Sequence, residues 1–425
     1  MSQTTDTATT EKLGRDFNVH LGTVALNALA GGILFAGVPL VAATLTQSPQ
    51  EISIISAAIQ LPALLGILVG LIVDRTDRRR LRLVAMGARV GLVFGMVAVI
   101  LTGNLTLWAL AGLMLLYALG GVFIASANGA MVPQVAPRSQ LAAANSRIQG
   151  AMFIFEDIIG APIAALLVLV GASWIFGVPG LLGVLAVVVL WWGLRGRSFR
   201  APQEEAPADE PTPPVVAGAL RDIREGLRFI LQHRVLRPIF TMALAANFAS
   251  AAYMAVFVLW MVGPQAPVGV PAEIFPLYIT IMAVGAVAAT LTTSRILKVI
   301  DEFPLMMAGF WVMPVLLIIQ VIWPTPWVMV GTMLLLGYSL TVGNVIFMTL
   351  AQKLVPGRML GRFNGTAQTA TSGLAPAGAL LGGFVAEVYG FTILHLAVAG
   401  VLAAALTYPL LVVRQHHVDA LEIQE

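Results

Sequence analysis

Glu156 and Asp157 stand side by side in an otherwise apolar stretch, Phe153-Ile-Phe-Glu-Asp-Ile-Ile-Gly160. If the surrounding helix leaves water near Arg147, Glu156 lies nine residues further along, a rise of roughly 14 Å. An acid at helix centre costs roughly 2.5–3.5 kcal/mol on insertion scales. Two neighbouring acids must therefore face protein or water, find partners, or hold protons. A carboxyl shielded from water keeps its proton more firmly, and a second carboxylate beside it strengthens the effect. A group that holds a proton when shielded and loses it when wet is what proton antiport requires. Successive helix residues point about 100° apart, so the two acids cannot share one direction. Gln149 and Gly160 lie on the Glu156 face, Gly150 and Ala161 on the Asp157 face. Glu156 is expected to face a cavity and Asp157 a neighbouring helix. A structural pair satisfied by hydrogen bonds is the alternative.

Other polar groups sit in apolar surroundings. Arg89 either snorkels to an interface or pairs with a buried acid such as Asp74. Asn27, Asn247 and Asn344, with Gln149, are candidate cavity groups, or else interhelical hydrogen bonds. Glu387 reads as interfacial and His395 as a packed polar residue. Material for an enzyme is missing. The five histidines are scattered, cysteine is absent, and there is no nucleotide-binding loop, metal constellation or nucleophile–base arrangement. No cofactor and no metal is expected, and an ion channel would need a polar filter or ring that the sequence lacks.

The elements that position these groups follow from composition. Of 425 residues 58% are hydrophobic and 11% charged, and the mean hydropathy is +0.90. So little charge cannot cover a water-exposed surface of this size. Apolar runs of spanning length fall at about 20–44, 50–73, 82–103, 106–131, 146–170, 173–194, 238–262, 274–296, 303–323, 326–350, 363–388 and 391–413. This predicts an all-α membrane protein with twelve transmembrane helices. The basic loops lie around Arg78, Arg138, the central segment, Lys298 and Arg358, whereas the loops around Gln47, Asn104, Ala172, Pro267, Pro324 and Tyr389 carry no Lys or Arg. This positive-inside asymmetry makes the basic side cytoplasmic, places both termini there, and excludes nucleic acid as the reason for the net charge of +3. Trp108, Trp174, Trp260, Trp323 and Trp327 are expected in an aromatic belt at the other side.

The Pro- and acid-rich stretch Ser198 to Ala217 reads as a linker. Leu220 to Arg237 after it has amphipathic spacing, suited to the membrane surface or to the ends of the bundle. The expected organisation is a cytoplasmic tail (1–19), a six-helix bundle (20–196), a linker with an amphipathic helix (197–237), a second six-helix bundle (238–413) and a cytoplasmic tail (414–425). Weak internal symmetry supports duplication. Leu141 to Asn145 matches Leu360 to Asn364, Ala161-Pro-Ile-Ala-Ala-Leu-Leu167 matches Ala375-Pro-Ala-Gly-Ala-Leu-Leu381, and Thr23 to Asn27 matches Thr241 to Asn247.

Gly70-Leu-Ile-Val-Asp74-Arg75-Thr-Asp77-Arg78-Arg79-Arg80 closes the second span. It resembles the signature loop of the major facilitator superfamily, with Asp77 where the family usually has Gly. The variant, together with Val135 to Asn145, Arg224 to Ile230, and Leu360 to Asn364 followed by Gly378 to Gly383, resembles the drug and siderophore exporter branch, which includes the enterobactin exporter and actinobacterial multidrug pumps. The resemblance implies two pseudo-symmetric six-helix bundles that rock around a central cavity. Spans 1, 4, 7 and 10 would line it and 2, 5, 8 and 11 would flank it. Asp74 would latch onto the N-terminus of the eleventh span near Gly361 to Asn364, as a carboxylate suits exposed helix N–H groups. Arg75, Arg78 and Arg79 would bind acids and carbonyls around the loop, or else only set topology and bind lipid phosphates. Gly160-Ala-Pro162 partly resembles the family's antiporter motif, and the first span, Asn27-Ala-Leu-Ala-Gly-Gly32, lacks the acid that exporters often carry. The expected function is proton-coupled export of amphipathic organic molecules by a monomer in the plasma membrane, an antiporter for drugs, siderophores or lipid-like compounds. The alternative is an importer or facilitator of a small polar metabolite.

Overall fold

The computed structural model of the chain describes residues 13–200 and 215–413. Most of the expected tails and of the Pro-rich linker lie outside the described residues. The described residues form α1 (Arg15–Leu45), α2 (Pro49–Gln60), a 3₁₀ segment (Leu61–Leu65), α3 (Gly66–Arg75), α4 (Arg78–Leu101), α5 (Leu107–Val135), α6 (Leu141–Met152), a π-helical stretch (Phe153–Gly160), α7 (Ala161–Val170), α8 (Ala172–Gly193), α9 (Val215–Gln232), α10 (Leu236–Met261), α11 (Phe275–Ile296), α12 (Glu302–Ile322), α13 (Pro326–Leu354) and α14 (Gly357–Val412).

Among the described residues ten helices are long and apolar enough to cross a bilayer, and eleven if the bent pair α2–α3 counts as one span. A straight helix of the 56 residues in α14 would run about 84 Å, far more than a hydrocarbon core of about 30 Å. Gly390 interrupts it with φ +84° and ψ +166°, a conformation that glycine adopts without a Cβ penalty. The spans are apolar all round, as helices facing both lipid and protein must be. Trp108, Trp174, Trp323 and Trp327 are 48–84% exposed beside helix ends. Trp260 departs from the expected belt: it is 2% exposed, its ring 4.2 Å from that of His395.

Small residues set the closest helix approaches, as expected where helices associate without a hydrophobic driving force. Gly32 of α1 leaves no room for a Cβ against the Glu156 backbone, and a Cβ on Gly160 would stand 2.7 Å from Gly32 Cα. In the second half Gly378 and Gly382 of α14 play the same part against α10. The amphipathic segment forms α9, which lies against α14 and α10 with Ile230 fully buried.

The two halves meet tightly at the end opposite the basic loops. There α2 packs on α14, Ser53 fills the space beside Gly383, and Ser56 Oγ donates to Ala255 O at 3.4 Å. Glu387, read as merely interfacial, accepts from Ser48 Oγ at 2.6 Å and from Gln50 N at 3.3 Å. A carboxylate at the first turn of α2 is well placed for the partial positive charge there. At the basic end α3 packs chiefly on α5 of its own half.

Candidate functional site

Between the halves lies a cavity of about 500 Å³, within the range of small-molecule sites. The first half lines it with Gly31, Phe35 and Val38 of α1, Ser56 and Gln60 of α2, Arg89 of α4, Met114 and Tyr117 of α5, and Glu156. The second half supplies Asn247, Ser250, Met254 and Phe257 of α10, Phe275, Ile279 and Met282 of α11, Met333 of α13 and Ala375 of α14. Both charged lining groups, Arg89 and Glu156, come from the first half.

Glu156 sits in the π-helical stretch, whose i→i+5 bonding widens the turn. The cause is local. Pro162 has no N–H to give to Ile158 O, and its ring crowds that carbonyl. The wide turn just ahead of it relieves the crowding, and the Gly32–Gly160 approach pins the segment onto α1. A Cβ on Gly31 would make ordinary contact with Glu156 Oε1 at 3.5 Å. Asp157 is half-buried and is not among the cavity-lining residues. The π stretch also packs against α11.

Arg89 neither snorkels nor reaches Asp74. It projects from mid-α4 into the cavity wall, and its guanidinium carbon lies 3.6 Å from the centre of the Tyr117 ring. Passage is allowed by Gly120, where a Cβ would stand 2.8 Å from Arg89 Cγ. Arg89 and Glu156 share the lumen, but no ion pair within 4 Å joins them. Arg89 Nε is buried without a hydrogen-bond partner.

The remaining candidates divide. Asn247 lines the cavity, whereas Gln149, Asn344 and Asn27 do not. Gln149 and Asn344 are exposed, and Asn27 Nδ2 donates back along α1 to Thr23 O at 2.8 Å. In the signature loop Asp74 does not latch. Its side chain is 67% exposed, with Arg78 Nη2 at 3.9 Å as its ion-pair neighbour. Arg78 donates to Ala130 O at 2.8 Å and Arg79 to Trp191 O at 2.9 Å, so both bind carbonyls of their own half. Arg75 is exposed, and a Cβ on Gly70 would meet open space. Asp77, at the family's usual Gly position, caps α4 through Arg80 N at 3.0 Å. It also accepts from Ser198 Oγ at 2.6 Å and Phe199 N at 3.2 Å, tying down the chain that leaves the first half. Burial pushes its carboxyl up, but these hydrogen bonds outweigh burial and hold it below the usual carboxylate range.

Sequence reasoning missed Tyr117, which only its i-to-j partnership with Arg89 marks out. It also missed the group around Arg82, which reads as one more basic residue of the loop. Arg82 is fully buried. It contacts His20 Nδ1 at 2.9 Å, Thr23 Oγ1 at 2.7 Å and Met131 Sδ at 3.6 Å, and no acid among the described residues. In the second half Tyr253 OH donates to Gln320 Oε1 at 2.9 Å, and Gln320 Nε2 donates to Thr332 at 3.0 Å. Among the described residues no cluster of His, Asp or Glu could hold a metal ion.

Among solved structures, the chain is similar to the nucleoside transporter NupG, at 14% identity over 94% of this chain and 99% of that one, with a TM-score of 0.69. It is similar to a bacterial homologue of the human lysosomal transporter Spinster, captured inward-facing and unoccupied, at 12% identity over 93% and 96% of the two chains, with a TM-score of 0.68. An auto-inhibited POT family peptide transporter matches at 17% identity over 93% and 96%, also with a TM-score of 0.68. No curated protein matches the sequence. The sequence model of the Major Facilitator Superfamily matches residues 21–377. With bundled apolar helices, a central cavity between two halves and a family match over most of its length, the chain belongs to the Major Facilitator Superfamily.

Proposed function

We propose that this chain is a proton-coupled carrier of an amphipathic organic molecule, with Glu156 as the group that takes and releases the proton. Secondary transport across a membrane follows from the family, and with it a small-molecule substrate and no catalysis. The observation that carries the coupling is the acid itself: Glu156 lines the cavity between the halves, on a π turn seated against α1. Asp157 on the same turn is its assistant. Twelve spans in two six-helix bundles are supported by the break at Gly390 and by the bent α2–α3 pair. The basic end is cytoplasmic, both termini lie there, and the protein works as a monomer in the plasma membrane. In the opposite conformation Asp74, Arg75, Arg78 and Arg79 engage the start of α14, while Glu387 releases α2.

The similar solved structures are by name transporters of nucleosides and peptides, which favours a small organic metabolite as cargo. Asn247, Ser250 and Gln60 are the polar anchors that a small metabolite would use. Export of a drug, siderophore or lipid-like compound is the second reading, favoured by the Met and Phe lining, which suits loosely specified apolar ligands. A thermal-stabilisation screen identifies the substrate. The purified protein is then placed in liposomes under an imposed pH gradient. Accumulation of that substrate on one side, reversed when the gradient is reversed, is the expected result. Equal concentrations on both sides under either gradient would remove proton coupling.

A further inference from the structure

Arg89 is an unusual group to find in this wall. It comes from α4, and its stem passes beside Gly120, whose missing Cβ makes the space. A second glycine, Gly121, lies beside the guanidinium itself, where a Cβ would stand 4.0 Å from Cζ. The guanidinium face is taken up by the Tyr117 ring at 3.6 Å. Stacking of this kind uses the face of the guanidinium more than its edge, which carries five N–H donors, and Arg89 Nε is out of water without an acceptor. Among the described residues no acid approaches it within 4 Å. A guanidinium so held is built to receive a planar anion through paired N–H donors.

We propose that Arg89 is the substrate anchor, and that the substrate is an amphipathic organic anion whose carboxylate-like head binds Arg89 while its apolar body lies on the second-half wall. This rests on reading the cavity as the transport site. The wall facing Arg89 supplies Met254, Met282, Met333, Phe257 and Phe275, and no charge. The titratable groups around Glu156 are Arg89 from α4, Tyr117 from α5 and Asp157 on its own turn; α1, α10 and α11 present none to the lumen. Ionised Glu156 is therefore the rival of the substrate for Arg89. A proton on Glu156 removes the rival, so proton and organic anion favour one another's binding and travel in the same direction. An organic cation, by contrast, would have to sit beside an unpaired guanidinium to reach Glu156.

The test uses three probes with one body and three heads: 4-phenylbutyrate, 4-phenylbutanol and 4-phenylbutylammonium. Each is titrated to millimolar concentration against the purified full-length protein, with thermal unfolding as the readout. The carboxylate is expected to stabilise the wild type most. In Arg89→Gln that advantage disappears while the response to the alcohol persists, which also shows that the variant is folded. Arg89→Lys, which keeps the charge but loses the paired donors, weakens carboxylate binding by about tenfold or more. Glu156→Gln, which lacks the rival charge, binds the carboxylate at least as tightly as the wild type. A preference for the ammonium, a carboxylate response unchanged in both Arg89 variants, or no response of the wild type to any probe overturns the proposal. Substrate accumulation under a pH gradient is scored separately, so loss of coupling with anion binding intact counts against the transport reading alone.

Discussion

Arg89, Tyr117 and Glu156 stand on one wall of the cavity; the wall that faces them carries Asn247 and Ser250 among Met254, Met282, Met333, Phe257 and Phe275. The first wall draws Arg89 from α4, whereas α12 of the second half supplies nothing to the cavity. Both halves use glycine for a close crossing, Gly32 and Gly160 between α1 and the π stretch in the first, and Gly378 and Gly382 of α14 against α10 in the second. Aligning Ala161-Pro162 with Ala375-Pro376 places Ala370 and Thr371 opposite Glu156 and Asp157. The packing is duplicated and the chemistry is not. Close crossing requires only small residues, which either half supplies. An acid in the bilayer carries a cost, so it persists where it has work to do. In the proposed mechanism one half works on protons and charge, and the other offers an adaptable apolar surface.

That contrast is open to direct attack. The largest effect is expected from moving the acid across: Glu156→Gln combined with Ala370→Glu should stay at background in gradient-driven accumulation. Restored accumulation would mean that either half can host the coupling. Next is Gly32→Val, which forces α1 away from the Glu156 backbone. Overpacking of this kind costs about 1–3 kcal/mol, seen as a lower thermal midpoint together with weakened transport. Asp77→Ala removes the α4 cap and should cost about 0.5–2 kcal/mol. The folded carboxyl lies below its usual range, so the stability it contributes is present at neutral pH. The gap between wild type and variant should stay constant at neutral pH and close as pH falls below about 4. The smallest effect belongs to the second-half wall, where Met254→Leu keeps volume and apolarity and should shift stability by no more than about 0.5 kcal/mol.

The spans, the acidic pair and the signature loop are legible because each is local: hydropathy, charge and spacing are written along the chain. What escaped depends on neighbours brought from elsewhere. Glu387 meets Ser48 across 339 positions, and nothing near either residue announces the other. The sequence allows Arg89 either snorkelling or an ion pair, and it takes neither course because Gly120 and Tyr117 on another helix receive it. Trp260 has the position of a belt residue, but His395 and Phe391 bury it. The π turn has a local mark in Pro162, yet its register is fixed by contact with Gly32. Asp77 stands where the family usually has Gly, and only the fold shows it as a helix cap and a tether to Ser198.

The claim at the centre is that Glu156 moves the proton that drives the solute. It is tested most directly by trapping a pH-sensitive dye inside proteoliposomes and adding the substrate outside. The wild type should change the internal pH as substrate moves, while Glu156→Gln moves substrate down its own gradient with the internal pH unchanged. A substrate-dependent pH change in Glu156→Gln equal to that of the wild type would contradict it.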